Sequence, residues 1–166
     1  MIVAGLRNIE KSILSVKLPE WLKMNHWDAE PVLYHTSLFD TCAGLVDYRD
    51  REITLKISGT ARAMMECLAL SPERFALSEA YELMEGLNAL RPMQVQELLE
   101  QCKSIKTKRL FLYFAEKANH AWLKYVDTTS VDLGSGKRII VTNGALTSKY
   151  ELLLITPCKP AINTVK

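Results

Sequence analysis

Lys106-Thr-Lys-Arg-Leu-Phe-Leu-Tyr-Phe-Ala-Glu-Lys-Ala-Asn-His-Ala-Trp122 is the stretch on which the reading of this chain turns. Leu110, Phe111, Phe114, Ala118 and Trp122 recur at three- and four-residue steps, which predicts one long helix over 106–122 with a heavily aromatic side to bury. A helix carrying that much apolar area needs neighbours, and the sequence before it supplies them. Thr60 is placed to cap a helix over Ala61–Leu70, with Ala63, Met64, Cys67 and Leu68 turned inward. Ser78 opens a second helix, Glu79–Leu87, that ends near Gly86. After Arg91-Pro92 a third runs from Met93 to Cys102 through Val95, Leu98 and Leu99, joined to the second by Asn88-Ala-Leu90. Met64, Met65 and Met84 read as core filler, with a flexible binding surface as the alternative.

Outward from the helices the pattern changes to period two. Ala29–Phe39 alternates as a strand does through Val32, Tyr34 and Thr36, and Asp40–Gly44 breaks it. Leu45-Val-Asp-Tyr48 and Glu52–Ile57 form a hairpin across Arg49-Asp-Arg51, with Ile53, Leu55 and Ile57 on one face. Nearer the start, Ser12–Val16 reads as a short strand, although Ile9, Ile13 and Val16 also fit a helix face, and Leu18–Lys23 reads as a short helix entered through Pro19. On the other side of the long helix, Gly134-Ser-Gly136 makes a turn and Lys137–Thr142 a strand. Asn143-Gly144 is a second turn, Lys149–Ile155 a closing strand, and residues 156–166 a frayed tail. Strands and helices are segregated rather than alternating, so the expected fold is α+β: a mixed β-sheet packed with four or five helices in a single domain over 1–166.

Bulk properties bound the function. A chain of 166 residues that is 48% hydrophobic and 24% charged, with few Gly and Pro, buries a real core and is not disordered. A net charge of +2 is too small to demand nucleic acid or an anionic membrane, so any basic surface must be local. Cys42, Cys67, Cys102 and Cys158 lie far apart and form no C-x-x-C pair, which excludes a zinc knuckle or thioredoxin-like motif and suits a reducing compartment. No apolar run reaches the roughly 20 residues of a membrane span. The start, Met1-Ile-Val-Ala-Gly-Leu-Arg-Asn-Ile-Glu10, carries charge too soon for a signal peptide, and a cytoplasmic location is expected.

The polar side of the long helix is the candidate surface. Lys106, Arg109, Tyr113 and Lys117, with His120 at the end, form a basic stripe containing one aromatic, and Lys103 and Lys108 add charge near its start. Such a stripe is able to hold phosphates and stack a base on Tyr113; a plain solvated helix face is the alternative. The loop Val131-Asp-Leu-Gly-Ser-Gly-Lys-Arg138 is not a Walker A cradle, because Val131 stands where the first glycine is needed and Arg138 where a Ser or Thr is needed. It reads as a turn into a strand, with Lys137 and Arg138 still able to meet a phosphate. His26, His35 and His120 have no metal-ligand spacing. Asp127 and Asp132 have no partnering base, and no serine sits in a nucleophile elbow. Neither an enzyme nor a cofactor or metal site is expected.

Several of these stretches belong together. Leu18-Pro-Glu-Trp-Leu-Lys23, Ser78-Glu-Ala-Tyr-Glu-Leu-Met-Glu-Gly-Leu87, Arg91-Pro92 with Leu98-Leu-Glu100, Arg109–Lys117, His120-Ala-Trp122 and Asp132-Leu-Gly-Ser-Gly-Lys-Arg138 follow one another in an order that resembles the C-terminal domain of the AbiEi family of antitoxins, from abortive-infection toxin–antitoxin systems. The resemblance covers roughly residues 14–155. It implies a non-catalytic antitoxin and transcriptional-regulator-type domain in phage defence, which neutralises a nucleotidyltransferase-like toxin without direct contact. Where the family has Ser-Pro-Glu-Arg ahead of the first helix after the hairpin, this chain has Gly59-Thr-Ala-Arg62, keeping the arginine and placing Ala61 at the glutamate. Family members also begin with a winged helix-turn-helix domain that binds operator DNA, and a chain lacking that domain is expected here. Charge placement and motif together make Arg62, Lys106, Arg109, Tyr113, Lys117, Lys137 and Arg138 the expected functional surface. The rival reading is a nucleic-acid-binding or interaction module that uses the same stripe without antitoxin activity.

Overall fold

The computed structural model describes residues 36–136 apart from Arg51 and Glu52, together with 138–139, 145–147, 150 and 152–154. The expected strand at Ser12–Val16, the helix at Leu18–Lys23, residues 29–35 of the next strand, Lys137 and the tail at 156–166 lie outside the described residues. Thr36–Phe39, the rest of that expected strand, belongs to no strand: Thr36 Oγ1 accepts the amide of Leu38 at 3.1 Å, a local side-chain bond that competes with strand pairing.

Strands β1 (Leu45–Asp50) and β2 (Ile53–Ser58) form an antiparallel hairpin where one was expected, with Val46 opposite Ile57 and Tyr48 opposite Leu55, but Arg49 and Asp50, expected in the connection, pair with Thr54 and Ile53 inside the ladder. Period-two alternation puts Val46, Tyr48, Leu55 and Ile57 on one face, and Asp47 and Lys56 pair on the other at 2.6 Å. The base of the hairpin is closed by Gly59 N–H donating to Gly44 O at 2.7 Å. Gly44 has φ +70°, and a Cβ there would lie 3.0 Å from Leu98 Cδ2 and 3.1 Å from Arg62 Cβ, so both backbone hand and space call for glycine.

Four α-helices follow: α1 (Thr60–Leu70), α2 (Leu77–Glu85), α3 (Pro92–Gln101) and α4 (Ile105–Lys117). Their order and faces agree with the periodicity, but their ends do not all do so. Thr60 is the first helical residue of α1 rather than its cap, and the cap, Gly59, makes no side-chain bond. Leu77, not Ser78, opens α2. Pro92 takes the first turn of α3, where its missing N–H is no loss. Helix α4 is entered through Ser104, whose hydroxyl accepts the amide of Thr107 at 3.3 Å. It stops five residues before Trp122, because Asn119 takes a left-handed conformation at φ +55° and the chain re-enters as a 3-10 helix over Ala121–Tyr125.

The C-terminal strands β3 (Arg138–Ile139), β4 (Ala145–Thr147) and β5 (Leu152–Leu154) form a mixed sheet in the order β3-β5-β4, parallel for β3/β5 and antiparallel for β4/β5. The architecture is α+β, as expected, with the described strands in two separate sheets. Helix α4 is the hub. Leu110, Phe111, Leu112, Phe114 and Ala115 are all buried, against Met65 and Leu68 of α1, Met84 of α2 and Val95, Leu98 and Leu99 of α3 in one cluster. Burial of this size is the main stabilising contribution to such a domain.

Candidate functional site

Apolar side chains buried on several sides of α4 leave it little solvated surface, and its cations are buried with it. Lys108 is 4% and Arg109 3% exposed. A buried cation needs acceptors, and here the acceptors are main-chain carbonyls. Lys106 Nζ donates to Ser71 O at 2.7 Å and Ala69 O at 3.2 Å, where α1 ends. Carbonyls at a helix C-terminus lack intrahelical donors and carry partial negative charge, so an ammonium is well placed there. Lys108 Nζ reaches Asp132 O at 2.7 Å. Arg109 uses all three guanidinium nitrogens on the next turns of the same loop: Nε to Leu133 O at 2.7 Å, Nη1 to Gly136 O at 2.7 Å and Nη2 to Gly134 O at 3.0 Å.

The loop is shaped for that grip. Gly134 has φ +62°, a Cβ there would press on Ile105 Cγ2 at 3.3 Å, and its amide is taken by Asp132 Oδ1 at 2.8 Å. A phosphate cradle turns amides toward its ligand, whereas this loop turns four carbonyl oxygens onto two cations. Two stretches that are separate in sequence, the start of α4 at Lys108 and Arg109 and the loop Asp132–Gly136, are therefore physically one device.

Arg62 stands apart from these residues. Its Nε pairs with Glu66 Oε1 at 2.9 Å, both groups being buried, and Nη1 donates to Ala43 O at 2.7 Å and Thr41 O at 2.9 Å. Its guanidinium lies 4.7 Å from the Phe39 ring centroid, and Glu66 Oε2 also accepts Ser58 Oγ at 2.7 Å. One ion pair thus ties the segment before the hairpin, the end of β2 and α1. Glu66 supplies the carboxylate for Arg62, and Ala61 beside it is itself buried.

The expected solvent-facing stripe is accordingly redistributed. Arg62 and Arg109 are buried structural cations, and Lys106 is half-buried and tied to carbonyls. Tyr113 is half-buried with its ring edge-on to Tyr150 at 6.4 Å. Lys117 is exposed, its ammonium 4.2 Å from the centroid of Tyr81. Arg138 stands in β3 opposite Leu152, and Lys137 is outside the described residues. His120 is also inside: its Nε2–H donates to Met84 O at 2.6 Å, its ring stacks on Trp122 at 5.2 Å, and Trp122 Nε1–H donates to Leu87 O at 2.8 Å. His120-Ala-Trp122 therefore covers the carbonyls at the end of α2, with His120 Nδ1 left buried and without a hydrogen bond.

Sequence reading missed Glu66 and Gln96. The first was visible as an i, i+4 partner of Arg62. Gln96 is the anchor of the turn after the 3-10 helix: Oε1 accepts Asp127 N–H at 2.8 Å, and Nε2 donates to Ser130 Oγ at 2.8 Å and Asp127 O at 3.2 Å. Nothing in the sequence marks such a contact. Asp127 also accepts both the hydroxyl and the amide of Thr129, and the hydroxyl bond above all holds its carboxyl below the usual range. Among the described residues no three His, Cys, Asp or Glu are grouped to hold a metal, and no helix is long and apolar enough to cross a membrane.

A family model described as "Transcriptional regulator, AbiEi antitoxin, Type IV TA system" matches residues 12–155. Searches of curated proteins and of solved structures each returned no match.

Proposed function

The chain belongs to the AbiEi family of antitoxins and transcriptional regulators of type IV toxin–antitoxin systems, and we propose that it neutralises a nucleotidyltransferase-like toxin without catalysis and without forming a stable complex with it. The observation that carries this reading is the family match over 12–155, which spans the helices, the latched loop and the C-terminal strands together. The geometry supports a specific division of labour. Arg109 and Lys108 act as positioning residues that fix the backbone of 132–136, next in sequence to Lys137 and Arg138; Lys117 and Tyr113 contribute the remaining surface of α4. Nucleic-acid binding along α4 has less support, because the ammonium and guanidinium groups of Lys106, Lys108 and Arg109 already serve carbonyls.

The test is co-expression with a toxin from the chain's own genomic neighbourhood, scored by growth. The wild-type chain is expected to restore growth, and the double variant Arg109→Ala with Lys137→Ala to abolish protection. A soluble, folded wild-type chain that gives no protection overturns the antitoxin reading. Co-purification of toxin with the tagged chain overturns the non-contact mode.

A further inference from the structure

The face of the β1–β2 hairpin opposite Asp47 and Lys56 carries a contiguous apolar surface. The register sets Val46 against Ile57 and Tyr48 against Leu55 as directly opposed pairs, so the four side chains are neighbours on one face. Val46 is 41%, Tyr48 46% and Leu55 50% exposed, and none of the four belongs to the buried core or to the side chains packed against it. Three of the five large apolar side chains exposed among the described residues thus lie on this one face. Solitary exposed apolar residues are ordinary, but a grouped set on a two-stranded hairpin, marginal without support, calls for a cover.

The chain immediately upstream supplies one. The described residues begin at Thr36, close to the base of the hairpin: the Phe39 ring lies against Arg62, and Glu66, the partner of Arg62, holds the Ser58 hydroxyl at the end of β2. Arg62 also fastens Thr41 O and Ala43 O, so the stretch leading into β1 is tied at the same point. Before it come 35 residues that include Trp21 and Trp27, two of the three tryptophans of the chain. Leu18, Trp21 and Leu22 stand at three- and four-residue steps, the spacing of one apolar stripe. Thirteen residues separate Lys23 from Thr36. Extended, they reach roughly 40 Å, whereas a six-residue strand is roughly 20 Å long, so the whole face is within range of the stripe. The family match begins at residue 12, ahead of the stripe, and places stripe and hairpin in one family unit.

We propose that the segment Leu18–Trp27 packs over this face, with Leu18, Trp21 and Leu22 against Val46, Tyr48, Leu55 and Ile57. A short helix laid on a sheet with one apolar face is a standard layer of α+β domains. A second copy of the chain, or a separate apolar partner, has to displace a segment tethered at the base of the same hairpin, whose effective concentration is on the order of millimolar. The proposal stands apart from the antitoxin reading, and its readouts involve no toxin.

Fluorine NMR of the full chain labelled with 5-fluorotryptophan tests it. Trp21→Phe and Trp27→Phe assign the three resonances, and replacing H2O by D2O shifts the signal of an indole in contact with water. In the wild-type chain Trp21 is expected to be as insensitive to that change as the buried Trp122. Leu55→Asp should give Trp21 a solvent shift and leave Trp122 as it was. A double-mutant cycle of Trp21→Ala and Leu55→Ala, followed by urea unfolding, serves if the aspartate unfolds the chain: the effect of Leu55→Ala on the unfolding constant should shrink about fivefold when Trp21 is already alanine. A wild-type Trp21 with the solvent shift of a free indole overturns the proposal. So does a Trp21 that stays shielded when Leu55 is changed, or a pair of alanine effects that simply multiply. A dimer lost with Leu55→Asp while Trp21 is unmoved overturns it as well, and gives the face to a second copy.

Discussion

Arg109 illustrates how a residue read from sequence as a surface cation becomes an internal one. A guanidinium is always charged and carries five N–H groups in a rigid fork, so it is the side chain best suited to several carbonyls at once when it is buried. Replacement of Arg109 by Ala would leave the carbonyls of Leu133, Gly134 and Gly136 without their donor. The expected loss is about 2–4 kcal/mol of unfolding free energy, read as a lower urea midpoint. Arg109→Lys should recover only part of it, because one ammonium cannot span all three acceptors. Equal stability of the alanine variant and the wild type would remove the latch from the account. Cys67 gives a second prediction. Burial, with Glu66 and Glu79 adding repulsion, pushes its thiol from 9.0 up to about 11. The folded state then keeps a proton that the unfolded state releases, so the contribution is present below pH 9 and is lost as pH rises toward 11. The total is on the order of 2–3 kcal/mol. Burial raises Cys102 as well, and desolvation raises Tyr81, so the chain as a whole loses stability in alkali. Cys67→Ala should flatten that decline between pH 8.5 and 10.5 in urea titrations, and a slope equal to that of the wild type would contradict it.

At the scale of elements, the sequence was legible wherever periodicity alone decides the outcome. The hairpin and its apolar face follow from alternation, though its register does not, since Arg49 and Asp50 pair within β1 instead of forming the connection, and the four helices follow from apolar residues at three- and four-residue steps. Ends were less legible, because they depend on single conformations. Asn119 at φ +55° cuts the long helix short, and Gly59, not Thr60, stands at the entry of α1. The candidate site was legible in its residue types but not in its direction. Lys106, Lys108 and Arg109 look like a solvated stripe until their acceptors are in place, and those lie in the end of α1, 35 to 37 residues before Lys106, and in the loop 24 to 27 residues beyond Lys108 and Arg109. Long-range covering of this kind leaves no periodic trace. Gly44 is the strictest junction between elements, packed on Leu98 of α3 and Arg62 of α1 in a left-handed conformation. Gly44→Ala is expected to destabilise by about 1–3 kcal/mol, measured by thermal or urea unfolding. Gly136→Ala, where an added Cβ meets nothing within 4 Å, should cost only the backbone strain.

At the scale of the molecule, the described structure has two tiers. Helix α4 shares one core with α1, α2 and α3 and is fastened near its start by charge-to-carbonyl bonds from Lys106, Lys108 and Arg109, whereas the β1–β2 hairpin is a two-stranded sheet with Val46, Tyr48 and Leu55 of its apolar face exposed. Two strands alone are marginal in water, so the hairpin depends on its ties to the helices. Those ties are the Gly44–Gly59 backbone bond, the reach of Arg62 to Thr41 and Ala43, and the Ser58 hydroxyl on Glu66. Native-state hydrogen exchange should therefore separate the tiers. Amides of Leu110–Ala115 are expected to exchange only when the whole molecule unfolds, and amides of β1 and β2 through a smaller opening. Ser58→Ala removes one tie worth about 1 kcal/mol, which corresponds to roughly fivefold faster exchange in the hairpin. The same bond is lost in global unfolding, so α4 should speed up by a similar factor, and the tiers are told apart by the protection itself: a hairpin that opens on its own exchanges faster than α4 in the wild type and in the variant alike. Equal protection of β1, β2 and α4 would mean that hairpin and helices unfold as a single cooperative unit, and the division into tiers would have to be given up.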